Sequence, residues 1–294
     1  LEPVVIAFGG GKGGTGKSTL AVQFSISFAQ RGFRVVLVDA DPNGANLHTF
    51  FGLEDPSVSI QQMLDEEQTS TPEQVNALIL PSGVPQLGIL PGFRDMIPLH
   101  FSGDEIQDVA QRLRLLDADL LILDVGSGSG RWPVILFEDA NAGVLVSLPE
   151  ATCIERDYHF LRHVCQWRIH EQLGEEKPPV HGWLPVPWLA SVRRSEPEKA
   201  REMQDALRRR AFFFLVNQYR SPEQGKLSGE FLSVVRRFFG IQGYDLGALG
   251  YDERLLLAIQ QRQPILLSYP DSRWVEKLQE ISDELLQLVQ GESS

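Results

Sequence analysis

GGGKGGTGKST, residues 9–19, follows the apolar run Val4 to Phe8 and leads into STLAVQFSISFAQR, whose apolar residues recur at helical spacing. Gly11, Gly16, Lys17 and Ser18 satisfy G-x-x-x-x-G-K-[ST] in the strand-before, helix-after context that a phosphate-binding loop requires. Glycines let the backbone wind tightly enough for its N–H groups to converge on phosphate oxygens, and the helix amino terminus adds partial positive charge. Lys17 is placed to reach the β and γ phosphates of a nucleotide, and Ser18 to offer its hydroxyl to Mg²⁺. An ordinary loop of this kind needs one lysine. Lys12 is a second.

Outward from the loop, short β-branched runs alternate with longer amphipathic stretches, the pattern of a parallel sheet covered on both faces. Strands are predicted at Val4 to Phe8, Arg34 to Asp39, Gln86 to Leu90, Leu120 to Asp124, Gly143 to Leu148, Phe212 to Asn217 and Asp245 to Leu249. Most are apolar throughout, as strands buried on both faces are. Helices are predicted at Lys17 to Arg31, Gly103 to Leu116, Ala151 to His170, Pro197 to Arg209, Pro222 to Phe239, Glu253 to Gln261 and Ser272 to Gln290. The expected fold is α/β: a doubly wound, mostly parallel sheet of about seven strands with helices on both faces, in one domain over residues 1–294. GEEKPPVHGWLPVPW, residues 174–188, breaks the rhythm with its prolines and tryptophans. It reads as an extended surface segment within an insertion around residues 172–192.

With 43% hydrophobic residues the chain has ample material for a core, and its net charge of −12 argues against a chain-wide grip on nucleic acid or an anionic membrane. One local exception is the segment holding Arg193, Arg194, Lys199, Arg201, Arg208, Arg209 and Arg210 among Glu196, Glu198, Glu202 and Asp205. It reads as a solvated helix face or a docking surface. No apolar run is long enough to cross a bilayer, and the chain starts almost at its first strand, so no leader is expected. Cys153 and Cys165 fall on one predicted helix, about 18 Å apart, too far for a disulfide, and a reducing cytoplasm fits. His159, His163 and His170 lie near one face of the same helix with Glu155 a turn earlier; without further ligand signatures they read as a polar face rather than a zinc site.

GKGGTGKST, residues 11–19, has Lys12 directly after its first glycine and so resembles the deviant Walker A loop of the MinD/ParA ATPases, a SIMIBI-class group of P-loop NTPases. VVLVDADPNGANLHTFFGL, 35–53, resembles the switch I region of that group, and LLILDVGSG, 120–128, its second acidic strand end and switch II. FLVNQYR, 214–220, resembles the adenine-side asparagine motif. LGYDERLLLAIQQRQPILLSYPDS, 249–272, looks like the carboxy-terminal part of the FlhG (FleN) flagellar-number branch. The likeness runs from Val4 to about Leu288 and is weakest between Glu155 and Arg210.

The resemblance implies ATP and Mg²⁺ as ligands and a homodimer that sandwiches two ATP molecules, Lys12 of each subunit reaching the phosphates held by the other. Delivered this way, a cation neutralises the transferring phosphoryl group and ties activity to dimerisation. Gly11, Lys12, Gly13, Gly14, Thr15, Gly16, Lys17, Ser18 and Thr19 would cradle the phosphates, and Asn217 would face the adenine. Asp39, Asp41 and Asp124 end parallel strands, where carboxylates face a ligand crevice. Ser18, Asp39 and Asp124 would hold Mg²⁺, and Asp41 would position the attacking water, with Lys12 and Lys17 as catalytic cations. Gly126 to Gly130 would sense the γ-phosphate and move after hydrolysis.

The implied function is a spatial regulator that positions or limits a cellular structure through slow, partner-stimulated ATP hydrolysis. A ParA-like cargo or DNA partitioning ATPase and a nucleotide-binding scaffold without turnover are the alternatives. DVGSGSGRW, 124–132, holds no cysteine, which argues against an iron–sulfur carrier. From Asp271 onward Arg273 and Lys277 face Asp271, Glu276, Glu280, Asp283, Glu284 and Glu292, a poor match to a membrane-seeking basic helix. Membrane binding is poorly supported, and DNA binding is disfavoured.

Overall fold

The computed structural model describes residues 2–44, 46–65, 69–94, 101–173 and 183–291. In chain order the elements are β1 (Val4–Gly9), α1 (Lys17–Gln30), β2 (Val35–Asp39), single 3-10 segments at Leu47–Phe51 and Ile60–Leu64, α2 (Pro72–Asn76), β3 (Leu80–Pro81), β4 (Leu87–Leu90), α3 (Gly103–Leu113) and β5 (Leu120–Asp124). There follow α4 (Arg131–Asp139), β6 (Ala142–Ser147), α5 (Ala151–Leu173), α6 (Pro185–Ser195), α7 (Pro197–Arg208), β7 (Phe212–Tyr219), α8 (Pro222–Gly225), α9 (Leu227–Phe239), β8 (Gly243–Gly250), α10 (Glu253–Gln260), α11 (Ile265–Ser268) and α12 (Arg273–Gly291).

Period-two alternation builds the two-sided core. Val5 and Ala7, Val36 and Val38, Leu121 and Leu123, Phe212 and Phe214 point to one face, beneath α3, α4, α5, α7 and α9. Ile6 and Phe8, Val35 and Leu37, Leu120 and Ile122, Phe213 and Leu215 point to the other, beneath α1, α10, α11 and α12. Successive strand side chains go to opposite faces, so a strand apolar throughout is covered twice.

The sheet order is β3-β4-β2-β5-β1-β6-β7-β8. All neighbours pair in parallel except β3 with β4. The seven expected strands are present, and the eighth is β3, a two-residue antiparallel edge. Its Pro81 suits an edge strand, where a missing N–H breaks no ladder. β1 lies between β5 and β6, and the chain crosses over it on the way from one to the other. That makes the carboxyl end of β1 a topological switch point, where doubly wound sheets open a ligand crevice.

Three local readings of the sequence need correction. Residues 131–139 form a helix that periodicity does not show, because Trp132 to Phe137 are all buried and an all-round apolar helix has no polar face. Pro133 is tolerated there because first-turn N–H groups have no helical acceptor. The single helix expected over Pro222 to Phe239 is two, α8 and α9, separated at Lys226. In the stretch expected to be extended, the chain turns helical at Pro185, the first position of α6, where a fixed φ favours helix. Trp183 is buried and packs edge-on against Trp188, centroids 5.7 Å apart; the rest of that stretch, 174–182, lies outside the described residues.

Candidate nucleotide site

The loop after β1 winds over the switch point and enters α1 at Gly16, whose φ of 91° is a left-handed conformation suited to glycine. No side chain caps α1, so its first N–H groups keep their donors for a ligand. Asn217, buried at the end of β7, fixes the loop from below: its Nδ2 donates to the Thr15 carbonyl at 2.8 Å and its Oδ1 accepts from the Gln218 N–H at 2.9 Å. A Cβ at Gly16 would lie 2.4 Å from that same Nδ2, so the glycine also answers to Asn217.

The two lysines of the loop are in opposite situations. Lys17 is 5% exposed and folds back into the loop, its Nζ donating to the Lys12 carbonyl at 2.8 Å and the Thr15 hydroxyl at 3.2 Å. Burial lowers its pKa, with Asp124, Asp157 and Asp41 acting the other way by charge. A buried ammonium in a glycine loop at an uncapped helix amino terminus fits an anion such as a polyphosphate. The Lys12 side chain is 37% exposed and turns away, its Nζ donating to Glu150 Oε2 at 3.0 Å and the Thr152 hydroxyl at 3.2 Å. The Glu150 hydrogen bond raises the Lys12 pKa, so this lysine is charged, and a pair in solvent of this kind is readily exchanged for another.

Asp39 and Asp124 are register partners on β2 and β5 and both are buried. Burial pushes Asp39 up to about 7, the nearby Asp124 charge adding to it against hydrogen bonds from the Leu47 and Asp41 N–H groups. Burial also raises Asp124, which the Ser18 hydroxyl and Gly126 N–H partly offset. Two adjoining buried carboxylates with a hydroxyl at hand fit Mg²⁺, which binds through one or two carboxylates and keeps several waters. Asp41 stands beside them, its Oδ1 accepting from the Asn43 N–H at 2.9 Å.

The loops after β2 and β5 are joined. Gly126, with φ 77°, packs so closely that a Cβ there would lie 2.5 Å from the Asp41 carboxyl carbon. The Trp132 indole, on α4, donates to the Ala40 carbonyl at 2.8 Å, between the two aspartates of the first loop. Gly128 N–H reaches the Gly10 carbonyl at 3.1 Å, tying the second loop to the phosphate loop as well.

Sequence reading missed α5 as a wall of this site. A Cβ at Gly11 would lie 2.0 Å from the Arg156 carbonyl, and the Gly11 N–H donates to Asp157 Oδ1 at 3.0 Å. Asp157 is fully buried and, among the described residues, its Oδ2 has no hydrogen-bond partner. Burial pushes its carboxyl up to about 6, only partly offset by the Ser147 hydroxyl, the Gly11 N–H and the Lys17 charge. The folded chain therefore holds this proton more tightly than the unfolded chain does, and stability falls as pH rises from about 4 through about 6. Asp157→Asn removes that loss: its stability gain over the parent is expected to grow from near zero at pH 4 to about 2–3 kcal/mol at pH 7, read by urea unfolding at both pH values. An equal gain at both would show that Asp157 is not the titrating group. On the same helix His163 Nδ1 is 2.8 Å from the His159 carbonyl, and Cys153 and Cys165 are buried free thiols.

Residues 6–265 match the CobQ/CobB/MinD/ParA nucleotide binding domain. The chain belongs to that family. Within reach of this CobQ/CobB/MinD/ParA domain, antiactivator FleN of Pseudomonas aeruginosa is 26% identical over 281 residues, covering 93% of this chain and 83% of FleN. Flagellum site-determining protein YlxH of Helicobacter pylori is 28% identical over 156 residues, about half of each chain. The septum site-determining protein MinD of Pyrococcus horikoshii, solved with Mg-ADP, superposes with a TM-score of 0.65 over 97% of both chains at 17% identity. That likeness is one of fold. Among the described residues no helix is long and apolar enough to cross a membrane.

Proposed function

We propose that the chain is an ATP-hydrolysing dimerisation switch of the FlhG/MinD kind, a cytoplasmic spatial regulator that positions or limits a cellular structure. The observation that carries this is the division of labour between the two lysines. Lys17 is buried in its own loop, whereas Lys12 is charged and partly exposed, held by hydrogen bonds to Glu150 and Thr152 of the same chain. A lysine needed by its own nucleotide would not be parked on α5; one meant for a second subunit needs a resting place from which it can be withdrawn.

In this reading Gly11 to Thr19 bind the phosphates through backbone N–H groups, Lys17 neutralises their charge, and Asn217 supports the loop on the adenine side. Ser18, Asp39 and Asp124 would hold Mg²⁺, which would supply charge neutralisation to the phosphates. Asp41 orients the attacking water and Lys12 of the opposite subunit stabilises the transferring group. The names of FleN and YlxH support a regulatory task related to flagella or to site selection, and a protein partner would set the turnover.

Light scattering tests the switch. Asp41→Ala with ATP and Mg²⁺ is expected to double in mass relative to the ADP state, and Asp41→Ala/Lys12→Ala to stay monomeric in both. A mass that ignores nucleotide, or doubling without Lys12, would reject the sandwich and favour a nucleotide-binding scaffold.

A further inference from the structure

At the other end of the sheet, α6, α7 and the end of α9 enclose a groove of about 470 Å³. Its floor is apolar, formed by Val186, Leu189, Leu207 and Ile241. Gly240 ends α9 in the left-handed conformation, φ 73°, and a Cβ there would crowd Val186 Cγ2 at 3.1 Å, so the glycine keeps this wall open. Val186 is 36% exposed although it is a large aliphatic side chain.

The rim is basic. Arg193, Arg208, Arg236 and Arg237 border the groove. Arg193 donates to the neutral Gln204 at 2.7 Å, Arg237 lies over the Phe238 ring at 5.1 Å, and among the described residues none of the four has a carboxylate partner. Each sits in the last turn of its helix, where a cation offsets the helix dipole. Three helix ends contribute roughly −0.5 charge each, so four arginines leave a clear positive excess. This occurs on a chain of net charge −12.

We propose that this groove docks an amphipathic acidic helix of a partner protein, its apolar stripe on Val186, Leu189 and Ile241 and its carboxylates on the four arginines. Charge complementarity selects an acidic occupant, and the concave apolar floor selects one with an apolar face to bury. A duplex or a membrane surface satisfies the rim and leaves the floor uncovered, while the charge of the whole chain repels both. The groove precedes β7 and β8, whereas the nucleotide residues follow the strands' carboxyl ends, so about 25 Å of strand separates the two. Docking therefore leaves the nucleotide crevice open, and the inference stands apart from the proposed ATP switch.

The test uses the full chain and a fluorescein-labelled helical peptide of about 18 residues, five turns of Leu and Glu with one apolar face, read by anisotropy. The same peptide with Lys for Glu, and a scrambled Leu–Glu sequence, are the controls. The Leu–Glu helix is expected to bind, the controls at least about tenfold more weakly, and both Arg236→Glu/Arg237→Glu and Val186→Lys to weaken it by about tenfold or more. Val186 and both arginines are exposed, and unchanged thermal midpoints establish that the variants are folded. Equal binding of the Lys helix, or a Leu–Glu helix indifferent to the variants, overturns the proposal. So does arginine-dependent binding of phosphatidylglycerol vesicles or duplex DNA without peptide binding.

Discussion

Lys17→Ala is expected to bind ATP at least about a hundredfold more weakly than the parent chain in titration calorimetry with Mg²⁺. Two losses combine. The ammonium is the buried cation of the loop, and a charge-assisted bond to phosphate made away from water is worth about 2–5 kcal/mol. The side chain also braces the loop through the Lys12 carbonyl and the Thr15 hydroxyl, which lose their donor in the variant. Lys17→Met separates the two, since it keeps most of the volume and none of the charge. If Met restores ATP binding, the lysine packs the loop and does not read phosphate.

Asp41→Ala is expected to lower steady-state phosphate release by about a hundredfold to ten-thousandfold, the range for a lost positioned base, while ATP affinity stays within a few-fold. The Asn43 N–H fixes the Oδ1 oxygen of the carboxylate, and Gly126 packs against the same carboxyl group, so the group is oriented before any ligand arrives. Its neighbours Asp39 and Asp124 are buried, and their loss would reach binding as well as turnover. Normal phosphate release by Asp41→Ala would remove it from the reaction.

The strand–glycine loop–helix unit at the start of the chain and the long strands were legible because their signals are local. A glycine spacing is read within ten residues, and β1, β2, β5, β6 and β7 are apolar runs that end on small or polar residues. Asp157 was not legible, because its partner Gly11 is 146 residues away in the chain and no spacing rule connects them. Glu150 and Thr152 escaped for the same reason; they matter only once α5 is packed against the loop. The burial of Asn217 under Thr15 is likewise a tertiary fact, although the residue itself stood out at its strand end. α4 failed differently: six consecutive buried side chains erase the polar face by which a helix is recognised.

The indole bond from Trp132 to the Ala40 carbonyl gives the molecule a built-in optical gauge. That ring is almost wholly shielded, and its N–H is anchored on the strand end that carries Asp39 and Asp41. Any motion that parts the two acidic loops must hydrate or rotate this one chromophore, and its emission wavelength then reports the separation. Replacing Trp167, Trp183, Trp188 and Trp274 by Phe leaves Trp132 as the sole emitter. In the proposed switch, the interval between phosphate bond breakage and loop release then becomes a quantity that a stopped-flow trace can time.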